Sequence, residues 1–591
     1  MYLETPTQEV GESIPGNTPH AVSVSLPTLK SVIGYEEGQE WVVKSMKCGY
    51  PRFFIHEKIR ELAKQIEDKY GREGEKCMIF SSYNAAKRCR EFMKEQSDST
   101  PSIRILQLNT AAPVDETETS SVVQCKVGVV FFSEEAFSVA KTYWQHTGEG
   151  ISSRMAEYCL RELFDPDHSS SSRKRSQLKS EIQAQKIQQK SPSLSKSLRS
   201  GSYSGNEEVE KEFNTFIEQK FGRVLDLKFA DRAKIALRRR ICGKVDKSKN
   251  QEDEMEKARR GKYLNETDVY LYQTGMTAIF HSHQALLNIF PKPKKSVCFG
   301  FPYVDTLNIL KKFGPGVHFL GFGDDKSLDE MEEGLANGSI DIMALVCECP
   351  SNPLLKTPNL KRIRSLADKY NFAVIVDETV GNFLNIHVLP YADMVVSSLT
   401  KVFSGDSNVM GGSLVLNPLS KLYGSLKSYF EKEYEDNVWA EDALYLERNS
   451  RDFVERSSKI NENSLEVIEV LKQSPLVSNI YYPSLSESKK YYDEIKRPNG
   501  GYGGLISFTF KDAKDAESFY DNCLIYKGPS LGTNFTLACP YAIIAHYKEL
   551  DEVQGWGVDK HIIRVSIGLE DKPQLIDIFR KALEAAEANH Q

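Results

Sequence analysis

Lys401 stands in Ser398-Leu399-Thr400-Lys401, a lysine among hydroxyl residues, with glycines following at Gly405, Gly411 and Gly412. It comes just after the apolar run 394–396, so its amine is presented at the mouth of a sheet, and a lysine so placed can form a Schiff base. Asp377 closes a second apolar run, 372–376. A carboxylate at the carboxyl end of a central strand sits where open α/β sheets place ligand contacts. Gly275-Met276 follows the strand-like segment 268–272 and opens a helix that runs through Ile289. Its backbone N–H groups and the positive end of the helix dipole would face an anion, which suits a phosphate. Taken singly, the triplet before Lys401 reads as an ordinary solvated turn, and the Gly-Met pair as a helix that begins at glycine.

The elements that must position these groups alternate. Strands are expected at 296–299, 317–319, 342–347, 372–376 and 394–397, and helices at 306–312, 328–336 and 360–370. Strand and helix in alternation imply a largely parallel sheet wrapped by helices, an α/β fold. Ahead of this unit, residues 1–165 read as a separate N-terminal α/β extension. Its helices are expected at 51–70, 85–94, 134–145 and 152–164, and its strands at 76–80, 103–108 and 127–132. Residues 166–206 are rich in Ser, Lys, Arg and Gln and read as a disordered linker, with Arg173-Lys174-Arg175 as a solvated charge run. The large domain is expected over 207–459, with a helical stretch at 209–219 and long helical connections at 419–432 and 440–459. A smaller C-terminal α+β domain over 460–591 carries a clear strand at 505–510 and a closing helix at 573–587.

Composition narrows the class. At 591 residues and 40% hydrophobic, the chain can build more than one buried core. A net charge of −6 is small for this length and gives no global field toward nucleic acid. No window offers a membrane span, and the first twenty residues lack the apolar core of a signal peptide. Eleven cysteines, scattered and without a C-x-x-C pair, read as buried thiols of a reducing compartment rather than as a zinc site, so no metal is expected. The cytosol is the expected location, with the nucleus left open. His20, His56 and His146 stand alone and are assigned no chemistry.

Five motifs in order carry a resemblance. They are Thr274-Gly275-Met276-x-Ala278, Glu348-x-Pro350-Ser351-Asn352-Pro353-Leu354-Leu355, Val376-Asp377-x-Thr379, Ser398-x-Thr400-Lys401, and Ile563-Arg564-Val565-Ser566-Ile567-Gly568-Leu569-Glu570-Asp571. Together they resemble the Cys/Met-metabolism (trans-sulfuration) branch of the fold-type-I pyridoxal-phosphate enzymes, and within it the cystathionine γ-synthases in the long form found in fungi.

The resemblance implies pyridoxal 5′-phosphate as cofactor and Lys401 as the lysine that holds it and moves protons. It implies Asp377 as the carboxylate on the ring nitrogen, Gly275, Met276, Ser398 and Thr400 as phosphate contacts, Tyr303 as the ring-stacking aromatic, and Asn352 at the phenolic oxygen. Arg564, helped by Ser530 and Asn352, is implied to bind the substrate carboxylate. The implied reaction is γ-replacement: cysteine displaces the ester of O-acetyl or O-succinyl homoserine and gives cystathionine, a step of methionine biosynthesis. The alternatives are a γ-lyase or homoserine sulfhydrylase of the same family, or a non-catalytic scaffold retaining the fold. Amino-acid substrates and a homodimer or homotetramer are implied as partners.

The sequence also departs from the pattern. No Tyr-x-Arg string followed by Gly-Asn-Pro precedes Gly275, so Arg238 to Arg240 or the Arg259-Arg260 pair are the candidate substitutes for its phosphate charge. Glu378 stands where asparagine is usual and Pro529 where a glutamate often is.

Overall fold

The computed structural model describes residues 6, 9–49, 53–96, 102–113, 122–165, 226–243 and 263–588. The expected linker 166–206 with its basic cluster, the helical stretch 209–219 and the Arg259-Arg260 pair lie outside the described residues.

Among the described residues three sheets organise the chain. Near the N-terminus, β1 (Glu75–Phe80), β2 (Arg104–Asn109) and β3 (Lys126–Ser133) form an antiparallel sheet in the order β1-β3-β2. Helices Glu57–Tyr70, Tyr83–Glu95, Phe137–Thr147 and Ser153–Phe164 accompany it. The central sheet comprises β4 (Val269–Tyr272), β5 (Lys295–Phe299), β6 (Val317–Leu320), β7 (Ile342–Glu348), β8 (Ala373–Asp377), β9 (Met394–Ser398) and β10 (Gly412–Leu416), in the order β4-β10-β9-β8-β7-β5-β6. Its pairs from β6 to β9 are parallel, and only β10 runs against its neighbours. The third sheet, β11 (Val477–Tyr481), β12 (Leu505–Phe510), β13 (Tyr526–Lys527), β14 (Leu537–Pro540) and β15 (Ile563–Ser566), has the order β11-β12-β15-β14-β13.

The central sheet follows from its sequence. Every residue of β7 is buried, as a parallel strand covered on both faces by helices requires. Helix Gly275–Ile289 begins where Thr274, in extended backbone, turns its side chain to accept the Thr277 N–H at 3.1 Å. Helix Asp325–Asn337 starts three residues before the expected 328, because the Asp324 carboxylate accepts the Ser327 N–H at 2.8 Å and caps it. Apolar periodicity does not register such polar first turns.

One expectation changes. The helical connection expected as one piece over 440–459 is two helices, Ala440–Asn449 and Phe453–Gln473. The chain breaks there because Arg456 of the second helix takes the Asn449 carbonyl at 2.9 Å, and the Ser450 hydroxyl bonds back to Leu446 O at 2.6 Å. The second helix runs through 459/460, where the sequence reading divides the two C-terminal domains.

Residues 9–49 bridge the two ends of the chain: His20 reaches Ser153 Oγ of the N-terminal unit at 2.9 Å, while their apolar side chains pack on the C-terminal unit. Ala21, Val24, Leu26, Val32, Val42 and Met46 share one core with Ile506, Phe508, Phe519 and Val565 of the C-terminal unit. The N-terminal unit packs through Val129 of its sheet and Ile59 and Tyr158 of its helices in one core with Ala230, Ala233, Trp439 and Leu444. All eleven cysteines are buried and none forms a disulfide. Among the described residues no helix is long and apolar enough to cross a membrane.

Candidate active site

β4, β7, β8 and β9 all end at the same edge of the central sheet, and the loops beyond them converge on one cavity. Gly275, Met276, Tyr303, Asn352, Asp377, Ser398, Thr400, Lys401 and Arg564 all line it. Ser530 sits against its floor, where the Lys401 amine donates to Ser530 Oγ at 3.2 Å. Sequence reasoning placed these residues by motif, and the topology brings them together from segments nearly 300 residues apart.

Lys401 is buried, 8% exposed, at the start of a tight turn after β9. Its carbonyl accepts the Gly405 N–H at 2.8 Å, and Thr400 Oγ1 accepts the Gly411 N–H at 3.1 Å. Gly532 lets the loop 528–532 lie directly on this lysine: its φ is +68°, and a Cβ there would stand 2.6 Å from Val402 N. Arg456, 4% exposed, donates to the carbonyls of Val402 and Phe403 at 2.9 Å and to Asn534 Oδ1 at 3.0 Å, which fixes the turn from behind.

Asp377 and Glu348 are register partners at the ends of β8 and β7. Asp377 Oδ1 accepts the Thr379 N–H at 2.8 Å, and Thr379 Oγ1 in turn accepts the Ser398 N–H at 2.8 Å. Glu348 accepts the backbone N–H of Tyr303 at 2.5 Å and of Asn352 at 3.0 Å. Burial pushes the Asp377 carboxyl up, and burial together with Asp377 pushes Glu348 up to about 8. Arg564, 4% exposed, donates through Nη1 to Asn352 Oδ1 at 3.2 Å and through Nη2 to Ser530 O at 2.9 Å.

Of the candidate phosphate arginines, Arg238, Arg239 and Arg240 stand outside this cavity of the single chain, and the Arg259-Arg260 pair lies outside the described residues. Arg238 pairs with Asp436 at 3.0 Å, Arg239 with Glu266 at 3.6 Å, and Arg240 with Glu447 at 3.1 Å and Ser450 Oγ at 2.7 Å, and none of the three lines the cavity. Their spacing on helix Ala230–Ile241 aims them at acidic residues of neighbouring elements. Sequence reasoning also missed several cavity residues. Glu348 and Thr379 lay inside quoted motifs without a role, whereas Tyr541 and, from the N-terminal region, Val22 and Phe53 carried no signal that would place them here.

The residues present fit pyridoxal phosphate. The buried Lys401 amine would suit an aldehyde carbon, and the N-terminus of helix Gly275–Ile289, beside Ser398 and Thr400, would suit a phosphate. The neighbouring carboxyls of Asp377 and Glu348, with no Lys or Arg partner among the described residues, would suit a cationic ring nitrogen.

The chain belongs to the Cys/Met-metabolism family of pyridoxal-phosphate-dependent enzymes, whose model matches residues 250–584, and it is therefore an enzyme that uses this cofactor. A second match, over residues 58–152, is to the N-terminal domain of fungal trans-sulfuration enzymes. Cystathionine gamma-synthase of Neurospora crassa is 44% identical over 620 aligned positions, which span 99% of this chain and 100% of that protein. Cystathionine gamma-synthase of Saccharomyces cerevisiae is 42% identical, over 98% of this chain and 99% of that one.

Proposed function

We propose that the protein catalyses pyridoxal-phosphate-dependent γ-replacement, in which the cysteine thiolate displaces the acyloxy group of an O-acetyl or O-succinyl homoserine and cystathionine forms. The Cγ–O bond breaks, the Cγ–S bond forms, and the acid leaves with the electron pair of the broken bond. The observation that carries the reading is the meeting of Lys401, Asp377 and Arg564 in one cavity. Whole-length likeness to two proteins named cystathionine gamma-synthase selects among the reactions of the family.

In this reading the Gly275 and Met276 N–H groups with Ser398 and Thr400 hold the phosphate. Tyr303 stacks on the ring, Asn352 meets its phenolic oxygen, and Asp377 keeps its nitrogen protonated. The cofactor, when bound, supplies an electron sink for charge developed at the substrate Cα. Arg564 binds the substrate α-carboxylate and so fixes which Cα bond faces Lys401. Lys401 Nζ, steadied by Ser530 Oγ, carries protons between Cα and Cβ. Burial of Lys401 and Glu348 limits the water that can compete with the thiolate. A cytosolic homodimer or homotetramer completes the proposal.

Purified protein loaded with the cofactor and given O-acetyl or O-succinyl homoserine should form cystathionine only when cysteine is added. Equal 2-oxobutanoate formation with and without cysteine would replace this reading with a γ-lyase.

A further inference from the structure

Tyr541 is the first residue of helix Tyr541–His546, immediately after β14, and it lines the active-site cavity. It is 2% exposed, and its hydroxyl has no hydrogen-bond partner in the structure. A buried hydroxyl left unpaired is costly, and Tyr541, unlike the equally unpaired Tyr272 hydroxyl, lines the cavity where a ligand atom can complete the bond. The ring lies under Arg564, whose guanidinium carbon is 4.9 Å from the ring centroid. That guanidinium already donates to Asn352 Oδ1, Pro529 O and Ser530 O, so few of its five N–H groups remain for a ligand. A carboxylate held on Arg564 therefore has oxygen lone pairs that the arginine cannot reach. Burial pushes the Tyr541 hydroxyl up, so it stays protonated, a neutral donor, at any working pH.

We propose that Tyr541 is a further substrate-binding residue, whose hydroxyl donates to the α-carboxylate of the amino acid held by Arg564. The proposal rests on the reading of Arg564 as the carboxylate clamp. Tyr541→Phe removes one oxygen and keeps the ring under the guanidinium.

The test is equilibrium binding to the cofactor-loaded enzyme, followed by absorbance, of two ligands without a leaving group. One is L-2-aminobutyrate; the other is propylamine, the same molecule without its carboxylate. A hydrogen bond to a charged group predicts about ten- to hundredfold weaker 2-aminobutyrate binding in Tyr541→Phe, with propylamine unchanged within about twofold. Unchanged 2-aminobutyrate binding, or equal loss for both ligands, would overturn the proposal. Arg564→Lys goes through the same titrations. If it too fails to separate the two ligands, the clamp reading falls with the proposal. If it separates them and Tyr541→Phe does not, the proposal alone falls.

Discussion

Gly275→Ala probes how closely the phosphate-binding turn must approach the sheet. A Cβ at Gly275 would stand 2.7 Å from Ser398 Cβ and 2.9 Å from Ser398 Cα. Carbon atoms in contact rest at about 3.5–4.0 Å, so helix Gly275–Ile289 and the end of β9 would have to part by roughly 1 Å. Ser398 cannot yield freely. Its N–H is held by Thr379 Oγ1 at 2.8 Å, its carbonyl accepts the Lys401 N–H at 3.3 Å, and it is paired with Gly412 across the sheet. The displacement therefore falls on the turn that presents the N–H groups.

Overpacking of this kind costs about 1–3 kcal/mol, which corresponds to about 5- to 150-fold weaker cofactor binding if the strain is expressed there. The assay is fluorescence titration of the apoprotein with pyridoxal phosphate. Gly424→Ala serves as control, since a Cβ there meets nothing within 4 Å. Gly275→Ala binding the cofactor within about twofold of wild type, with an unchanged melting temperature, would refute the close-approach reasoning.

Three further perturbations test other parts of the site. Glu348 is raised from its ordinary carboxylate value to about 8 by burial and by Asp377, so the native apoprotein holds this proton more tightly than the unfolded chain. Its contribution to stability is full below the ordinary range and is lost as pH rises to about 8. Apoprotein melting temperature should therefore fall between about pH 5 and 9, and Glu348→Gln should flatten that slope in thermal melts, whereas parallel slopes would contradict it. Arg456→Ala leaves the Val402, Phe403 and Asn449 carbonyls unpaired in the interior and should cost about 3–5 kcal/mol in urea unfolding. Asp377→Asn should lower turnover by about a hundredfold or more in steady-state assays while cofactor binding persists, and retention of near-normal turnover would remove Asp377 from the ring nitrogen.

Most strands of the central sheet were legible as short segments rich in apolar residues with site residues at their ends, whereas β10 (Gly412–Leu416) is not among the expected strands. Periodicity finds β7 and β8, and Glu348 and Asp377 follow as their last residues. What periodicity could not reach was side-chain partnership across the fold. Arg238 to Arg240 look free in sequence, but Asp436, Glu266 and Glu447 claim them from other elements. Tyr541 has no spacing signal, because what matters about it is an arginine 23 positions later on an adjacent strand. The core shared by residues 21–48 with the C-terminal sheet was equally hidden, since contacts separated by some 500 positions leave no local pattern, as in Tyr520 OH to Leu26 O.

The most direct test of the account is the identity of the lysine that holds the cofactor. Reduction of the loaded enzyme with borohydride, digestion and mass spectrometry should find the pyridoxyl label on Lys401, and Lys401→Ala should carry none. A label on another lysine, or no label on a protein that still forms cystathionine, would contradict it.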